Sequence, residues 1–372
     1  MFAISLRQLI MLSSSNEFLA LVKLGIGHYT DAPNTIVDWH SIQALALQHG
    51  LSAVVIDGIE YLPEKKRPPQ VLLLEWIGEV MQGYEFRYEQ YCKAISELSG
   101  FYNSHGYKMM VLKGYACAIN WPKPEHRPCG DIDIWQFGKQ KEADKVICQE
   151  KGIKINESHH HHTVFFWYDF IVENHYDFVN VHAHRSSAEM EKIFKDLGKD
   201  YSNYVEMKVP STGSTTNVYL PSPNLHALFL IKHLISHFVG ANITFRQILD
   251  WAFFVEKHSD TIDWIWLNEK LEEYHMKDFA NCLNAICVEE LGFDVSIFHG
   301  VQFIPYLKDR ILEDILNPKY KAEEPKYLLP RLLYKYRRWN GNAWKHDLCY
   351  SESHMESFWT GLWSKLLKPS SL

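Results

Sequence analysis

The sequence predicts an α+β protein, a mixed sheet held between helical N-terminal and C-terminal regions, and three observations carry that reading. Apolar residues recur at helical spacing from Glu17 to about Ser104, as in Phe18, Leu21 and Val22 and later Ile42, Leu45 and Ala46. Between Tyr107 and Leu220 short apolar runs replace that period. Beyond Pro221 it returns in Leu225, Leu228, Phe229, Ile231, Leu234, Ile235 and Phe238. The implied regions are 1–104 (helical), 105–220 (the core) and 221–372 (a helical domain).

Taken in order, the N-terminal helices are broken at Asp31-Ala32-Pro33-Asn34 and again from Pro63 to Pro69. Asp38 to Ser41 opens one helix and Leu51 to Leu62 holds another. Lys108 to Leu112 reads as a short buried strand ending in Lys113-Gly114, with a helix starting near Tyr115. After the turn Trp121-Pro122-Lys123-Pro124, Asp131 to Trp135 forms a second strand, and a helix runs through Lys141 to Lys151. Thr163 to Val172 and Tyr176 to His184 are expected as a hairpin closed at Glu173-Asn174-His175, with a further strand at Val218 to Leu220. Arg246 to His258 is expected as a helix, and His159 to His162 as an exposed approach to the following strand, with a metal-binding cluster as the alternative.

With 372 residues, 47% of them hydrophobic, the chain can bury a large core, and a net charge of -7 argues against bulk attraction to nucleic acid. One local basic segment, Asn317 to Arg338, reads as a solvated helical face with buried tyrosine rings. Seven scattered cysteines without C-x-x-C spacing suit reduced thiols, and no run is apolar enough to span a bilayer. Met1 to Leu12 is too short for a signal peptide, so the sequence predicts a cytoplasmic protein.

The chemistry centres on Asp131-Ile132-Asp133. Strand alternation puts the two carboxylates on one face, where they suit Mg²⁺, a cation that takes a few carboxylates plus substrate phosphates and water. As mutually repelling acids, they are expected to be replaceable by asparagine with apo stability held or raised. Gly114 permits close backbone approach at a helix start, Lys113 supplies a point charge, and Arg127 can form a bidentate phosphate contact. Metal ligands, a phosphate cradle and fixed positive charge are the parts that phosphoryl-type transfer requires. On the first C-terminal helix, Lys232, His233 and His237 are candidates for contact with base or phosphate, or for an interdomain contact, and Arg246 with Asp250 is expected as a surface i, i+4 pair.

Leu112-Lys113-Gly114, the intervening helix, Arg127 and Gly130-Asp131-Ile132-Asp133-Ile134 resemble the nucleotidyltransferase core of the polymerase-β superfamily. The lysine-glycine form with an upstream arginine is similar to the bacterial "uncharacterised nucleotidyltransferase" family, as are Asp38-Trp39, His49-Gly50, His233, His237 and Leu249-Asp250-Trp251. More distantly it resembles aminoglycoside nucleotidyltransferases and nucleotidyltransferase-like toxins. The resemblance implies Asp131 and Asp133 as Mg²⁺ ligands and Lys113 and Gly114 at the phosphates of a nucleoside triphosphate (NTP).

Two departures accompany it. The superfamily's Gly-Ser is replaced by Gly114-Tyr115, and the strand expected to carry a third carboxylate offers Asn180 in its place. On that strand His182 or His184 is the candidate base, with Asp177 in reserve and Glu173 or solvent as the fallback should neither histidine serve. The activity implied is transfer of a nucleoside monophosphate from an NTP to an unknown acceptor, a small molecule, sugar or protein rather than nucleic acid, with release of pyrophosphate. The alternatives are a non-catalytic nucleotide-binding protein and a toxin-like transferase acting on tRNA.

Overall fold

The computed structural model describes residues 6–28, 31, 33, 38–300, 302–320, 325–357, 359 and 360. Met1 to Ser5, Ala32 and Asn34 of the expected break, and Lys321 of the basic segment lie outside the described residues. Helices α1 (Leu6–Gly25), α2 (Trp39–His49), α3 (Ser52–Glu60) and α4 (Gln70–Val80) come first. Asp38 caps α2, its carboxylate accepting from His40 N at 3.0 Å and Ser41 Oγ at 2.6 Å, and Gly50 at φ 67° ends that helix. A π-helical stretch over Met81–Phe86 leads into α5 (Arg87–Ser104).

The core contains β1 (Met110–Val111), α6 (Tyr115–Ala118), β2 (Ile132–Trp135), α7 (Gln140–Lys151), β3 (His162–Trp167), β4 (Phe170–His175), α8 (Arg185–Leu197), β5 (Tyr204–Lys208) and β6 (Thr215–Tyr219). The strands form one mixed sheet in the order β3-β4-β2-β1-β6-β5, with β1/β6 and β2/β4 parallel and the other pairs antiparallel. Ile132, Ile134, Phe165, Val172 and Val218 turn to one side and share a core with Tyr91, Ile95 and Leu98 of α5 and Ala143 and Ile147 of α7. The opposite side faces the C-terminal helices α9 (Pro223–Gly240) and α10 (Phe245–His258), followed by α11 (Trp264–Glu273), α12 (Lys277–Glu289), α13 (Pro305–Leu316), α14 (Leu328–Gly341) and α15 (Ala343–Cys349). The first three helices join these in one apolar cluster: Phe18 of α1 lies edge-on to Phe245 of α10 with ring centroids 6.0 Å apart. Among the described residues no helix is long and apolar enough to cross a membrane.

Three expectations are corrected. The hairpin turns at Tyr168-Asp169, with Tyr168 at φ 51°, so β4 ends at His175 and Tyr176 to His184 is a bend-and-turn segment. Glu173-Asn174-His175 looks like a turn because it is polar, yet it is strand, with Asn174 and His175 buried: Asn174 Nδ2 donates to Asp144 Oδ1 at 2.8 Å beneath the sheet, while its Oδ1 is left without a partner. His162 is likewise buried at the start of β3 rather than exposed. In the basic segment the tyrosine rings are not all buried, since Tyr327 and Tyr336 of the α14 region are 80% and 59% exposed.

Candidate active site

Antiparallel pairing of β1 with β2 brings the Lys113-Gly114 turn beside the Asp-Ile-Asp strand, and Leu112 N donates to Asp133 O at 2.9 Å. Lys113 Nζ then reaches Asp133 Oδ1 at 2.8 Å, and the two acids outweigh burial in raising the pKa of Lys113. Asp133 is 1% exposed whereas Asp131 is open to solvent. Gly114 stands at φ 59°, where an added Cβ would lie 2.0 Å from Tyr91 Oη, the hydroxyl that donates to Asp131 O at 2.8 Å. The glycine is therefore required by the packing of α5 under the turn as well as by its backbone angle.

A third carboxylate stands on β4. Parallel pairing sets Glu173 opposite Asp133, and strand alternation returns His175 to the same face. Burial, and then repulsion from Asp133, push the Glu173 carboxyl up to about 8. His175 Nε2 lies 3.2 Å from Asp133 Oδ1 while its Nδ1 faces the Asp177 carbonyl at 3.1 Å. A carbonyl only accepts, so Nδ1 carries hydrogen, and Nε2 turns toward Asp133 either a second proton or a lone pair that a cation can take. Sequence reading missed His175 and placed Glu173 in a turn, as a fallback base only; the available signal was an acid and a histidine at i and i+2, on the face opposite the inward Phe170 and Val172.

The residues expected on the missing strand are dispersed. Asn180 borders the cleft, but its Oδ1 accepts from His182 N at 3.0 Å in a local turn, and His182 is exposed. His184 stacks on Tyr350 at 3.7 Å and is bonded to Glu352 at 2.6 Å, and Asp177 is paired with Lys195. Arg127 is buried in a bidentate pair with Asp250, Nε to Oδ1 at 2.7 Å and Nη2 to Oδ2 at 2.9 Å, with Trp121 Nε1 also on Asp250 at 3.0 Å. Arg246 keeps the expected i, i+4 pairing with Asp250 at 3.9 Å, but the pair lies beside the cleft rather than on the surface. Lys232 is 2% exposed and donates to Tyr350 Oη at 3.2 Å, and burial pushes its ammonium down to about 8.

Two cavities, of about 390 and 460 Å³, meet along Lys113, Asp131, His233 and His237. The first runs past Gly114, Arg127, Asp133 and Arg246; the second runs past Glu173, His175, Asn180 and Lys232. Burial keeps both helix histidines neutral, with His237 pushed down to about 4. A cleft with carboxylates on its floor and cations on its walls is thus divided into two halves that share one boundary.

No functionally curated protein matches the chain. Among solved structures, an antigenic nucleotidyltransferase-like protein from Paracoccidioides brasiliensis is similar at 12% identity over 56% of this chain and 96% of that one, with a TM-score of 0.31. A family model described as an uncharacterised nucleotidyltransferase matches residues 35–292, a span that includes the sheet, the acids and the two helices over the cleft. On that match over more than half of its length, the chain belongs to the uncharacterised nucleotidyltransferase family.

Proposed function

We propose that the protein transfers a nucleoside monophosphate from an NTP to an acceptor hydroxyl, with Asp131 and Asp133 as Mg²⁺ ligands and Glu173 as the base. The observation that carries the reading is the shared strand face on which Asp131, Asp133 and Glu173 converge beside Lys113. This donor set fits a hard cation: all its ligand atoms are carboxylate oxygens, and the upward push of Asp133 and Asp131 on Glu173 is repulsion that a cation relieves. Mg²⁺ bound there supplies polarisation of the α-phosphate and neutralisation of the leaving group.

In the step itself the acceptor oxygen attacks the α-phosphorus, the bond from that phosphorus to the β-phosphate bridging oxygen breaks, and pyrophosphate leaves with the bonding pair. Glu173 takes the proton of the attacking hydroxyl. Lys113 and Arg246 flank the cavity that contains Gly114, an arrangement suited to the triphosphate. Lys232, expected at the nucleotide, lies in the half with Glu173, and among the described residues no carboxylate is within ion-pair distance of it. That unbalanced buried charge favours an acceptor with an anionic group.

Glu173 supplies the carboxylate whose expected absence at Asn180 favoured a non-catalytic protein. A tRNA acceptor would need a basic surface around Asp131, and the overall charge of -7 disfavours it. Incubation with each α-labelled NTP, Mg²⁺ and a cell extract tests the reading. Label transfer with pyrophosphate release is expected from the wild type and not from Glu173→Gln; equal transfer by both proteins would refute the assignment.

A further inference from the structure

Beside the carboxylates, three imidazoles converge without a role in the proposed transfer. His162, the first residue of β3, pairs with His175, the last of β4, and His161 precedes it. One nitrogen from each of His161, His162 and His175 lies within 4.8 Å of the other two. His162 is 6% exposed, yet neither of its ring nitrogens has a hydrogen-bond partner, and Nδ1 of His161 is also unpartnered. Burying such groups without partners is unfavourable. The nearest acid to His162, Glu173 Oε1, is 3.7 Å from Nε2, beyond hydrogen-bond range.

We propose that His161, His162 and His175 form a site for a Zn²⁺-class transition-metal ion, separate from the carboxylate ligands of Mg²⁺. Neutral imidazoles are ligands for borderline-soft cations, whereas Mg²⁺ takes oxygen and keeps its water. Zn–N bonds of about 2.0–2.1 Å in a tetrahedron put ligand nitrogens about 3.4 Å apart, so small side-chain rotations close the trio around an ion. The hydrogen bond from Nδ1 of His175 to the Asp177 carbonyl at 3.1 Å leaves Nε2 as its donor atom, since zinc-binding histidines commonly tie their other ring nitrogen to a carbonyl or carboxylate. His161 and His175 line the larger cavity, which gives the ion an entry path and leaves the fourth position to water. Filling the site takes Nε2 of His175 away from Asp133 Oδ1, 3.2 Å distant, and so removes one of that acid's two partners.

The test is titration of the metal-free full chain with Co²⁺ in excess Mg²⁺, followed through the visible d–d bands of low-coordinate cobalt. One equivalent is expected to bind, to be displaced by Zn²⁺ and not by further Mg²⁺, and to raise the melting temperature. His162→Gln and His161→Gln should each weaken binding by more than the roughly 10–100-fold that loss of a supporting partner costs. Asp131→Asn should keep the bands. Absence of bands in the wild type overturns the proposal, as do bands that survive both histidine changes or that vanish with Asp131→Asn. Because His161 is only half-buried, its variant keeps the test decisive should His162→Gln fail to fold.

Discussion

Asp133 holds Lys113 at 2.8 Å and His175 at 3.2 Å with 1% of its surface exposed, so its charge is matched within the protein. The view of Asp131 and Asp133 as two repelling acids with equal roles in the apo protein therefore gives way to an asymmetric pair. Asp133→Asn is expected to lower apo stability by about 3 kcal/mol, because it leaves a largely buried ammonium without its counter-ion. Asp131→Asn, at an exposed position, should melt within a degree or two of the wild type, on the roughly 0.5 kcal/mol scale of surface changes. Chemical denaturation of both variants without metal checks this, and equal losses would refute the asymmetry. Gly114→Ala should destabilise the turn on two counts, the positive φ and the collision with Tyr91 Oη. Adding Tyr91→Phe should recover only the steric part, which thermal melts of the single and double variants would separate.

At the scale of elements, the hairpin register decides which side chains reach the cleft. Glu173→Gln should abolish transfer while His182→Ala and Asn180→Asp leave the rate within about threefold of wild type, since only Glu173 pairs opposite Asp133. Single-turnover rates with labelled NTP check this; a loss on His182→Ala would return the base to the loop. That loop is held by α8, whose Glu191 accepts from Phe178 N and Val179 N, each at 3.0 Å. Burial, opposed by those two bonds and reinforced by Asp177, pushes the Glu191 carboxyl up to about 7, while Lys195 pulls it down. A raised acid binds its proton more tightly in the folded state, so its contribution to stability is full below the ordinary value of 4.5 and falls as pH rises to about 7. Across that interval the melting temperature of the wild type should fall relative to that of Glu191→Gln, a variant that also loses about 1 kcal/mol where its amide meets an N–H. Parallel pH profiles would rule out this role for Glu191.

Across the whole molecule, the cleft exists because the sheet and the C-terminal helices are fastened together by buried polar contacts. Arg127, just before β2, grips Asp250 of α10 with two bonds, and Trp121 adds a third to the same carboxylate. Removing either partner leaves an uncompensated buried charge, so Arg127→Ala and Asp250→Ala should each cost about 3–5 kcal/mol. The double variant should cost clearly less than their sum, because each single change already breaks the pair. Denaturant melts of the four proteins give the coupling; additive losses would mean that the residues act independently.

The helical regions at both ends, the Asp131/Asp133 alternation and the glycine turn were legible in the chain alone. Each is written in local terms, as a period of 3.6, a period of two, or a residue whose missing Cβ permits one backbone angle. The inward turn of Ile132 and Ile134 was legible for the same reason, whereas Tyr176 to His184, read as a strand, is not one. The polar face was not legible, because long-range contacts set it. Glu173-Asn174-His175 is polar in composition, yet Asn174 and His175 are buried, and what makes that burial tolerable is distant in sequence: Asp144 below Asn174, and Asp133 with Lys113 beside Glu173 and His175. The same holds for Arg127, read as a phosphate ligand until Asp250, 123 residues away, is seen to occupy its guanidinium. Side-chain periodicity records which face avoids water, whereas the partner that satisfies a buried charge is chosen by strand pairing and helix docking, which no local pattern encodes.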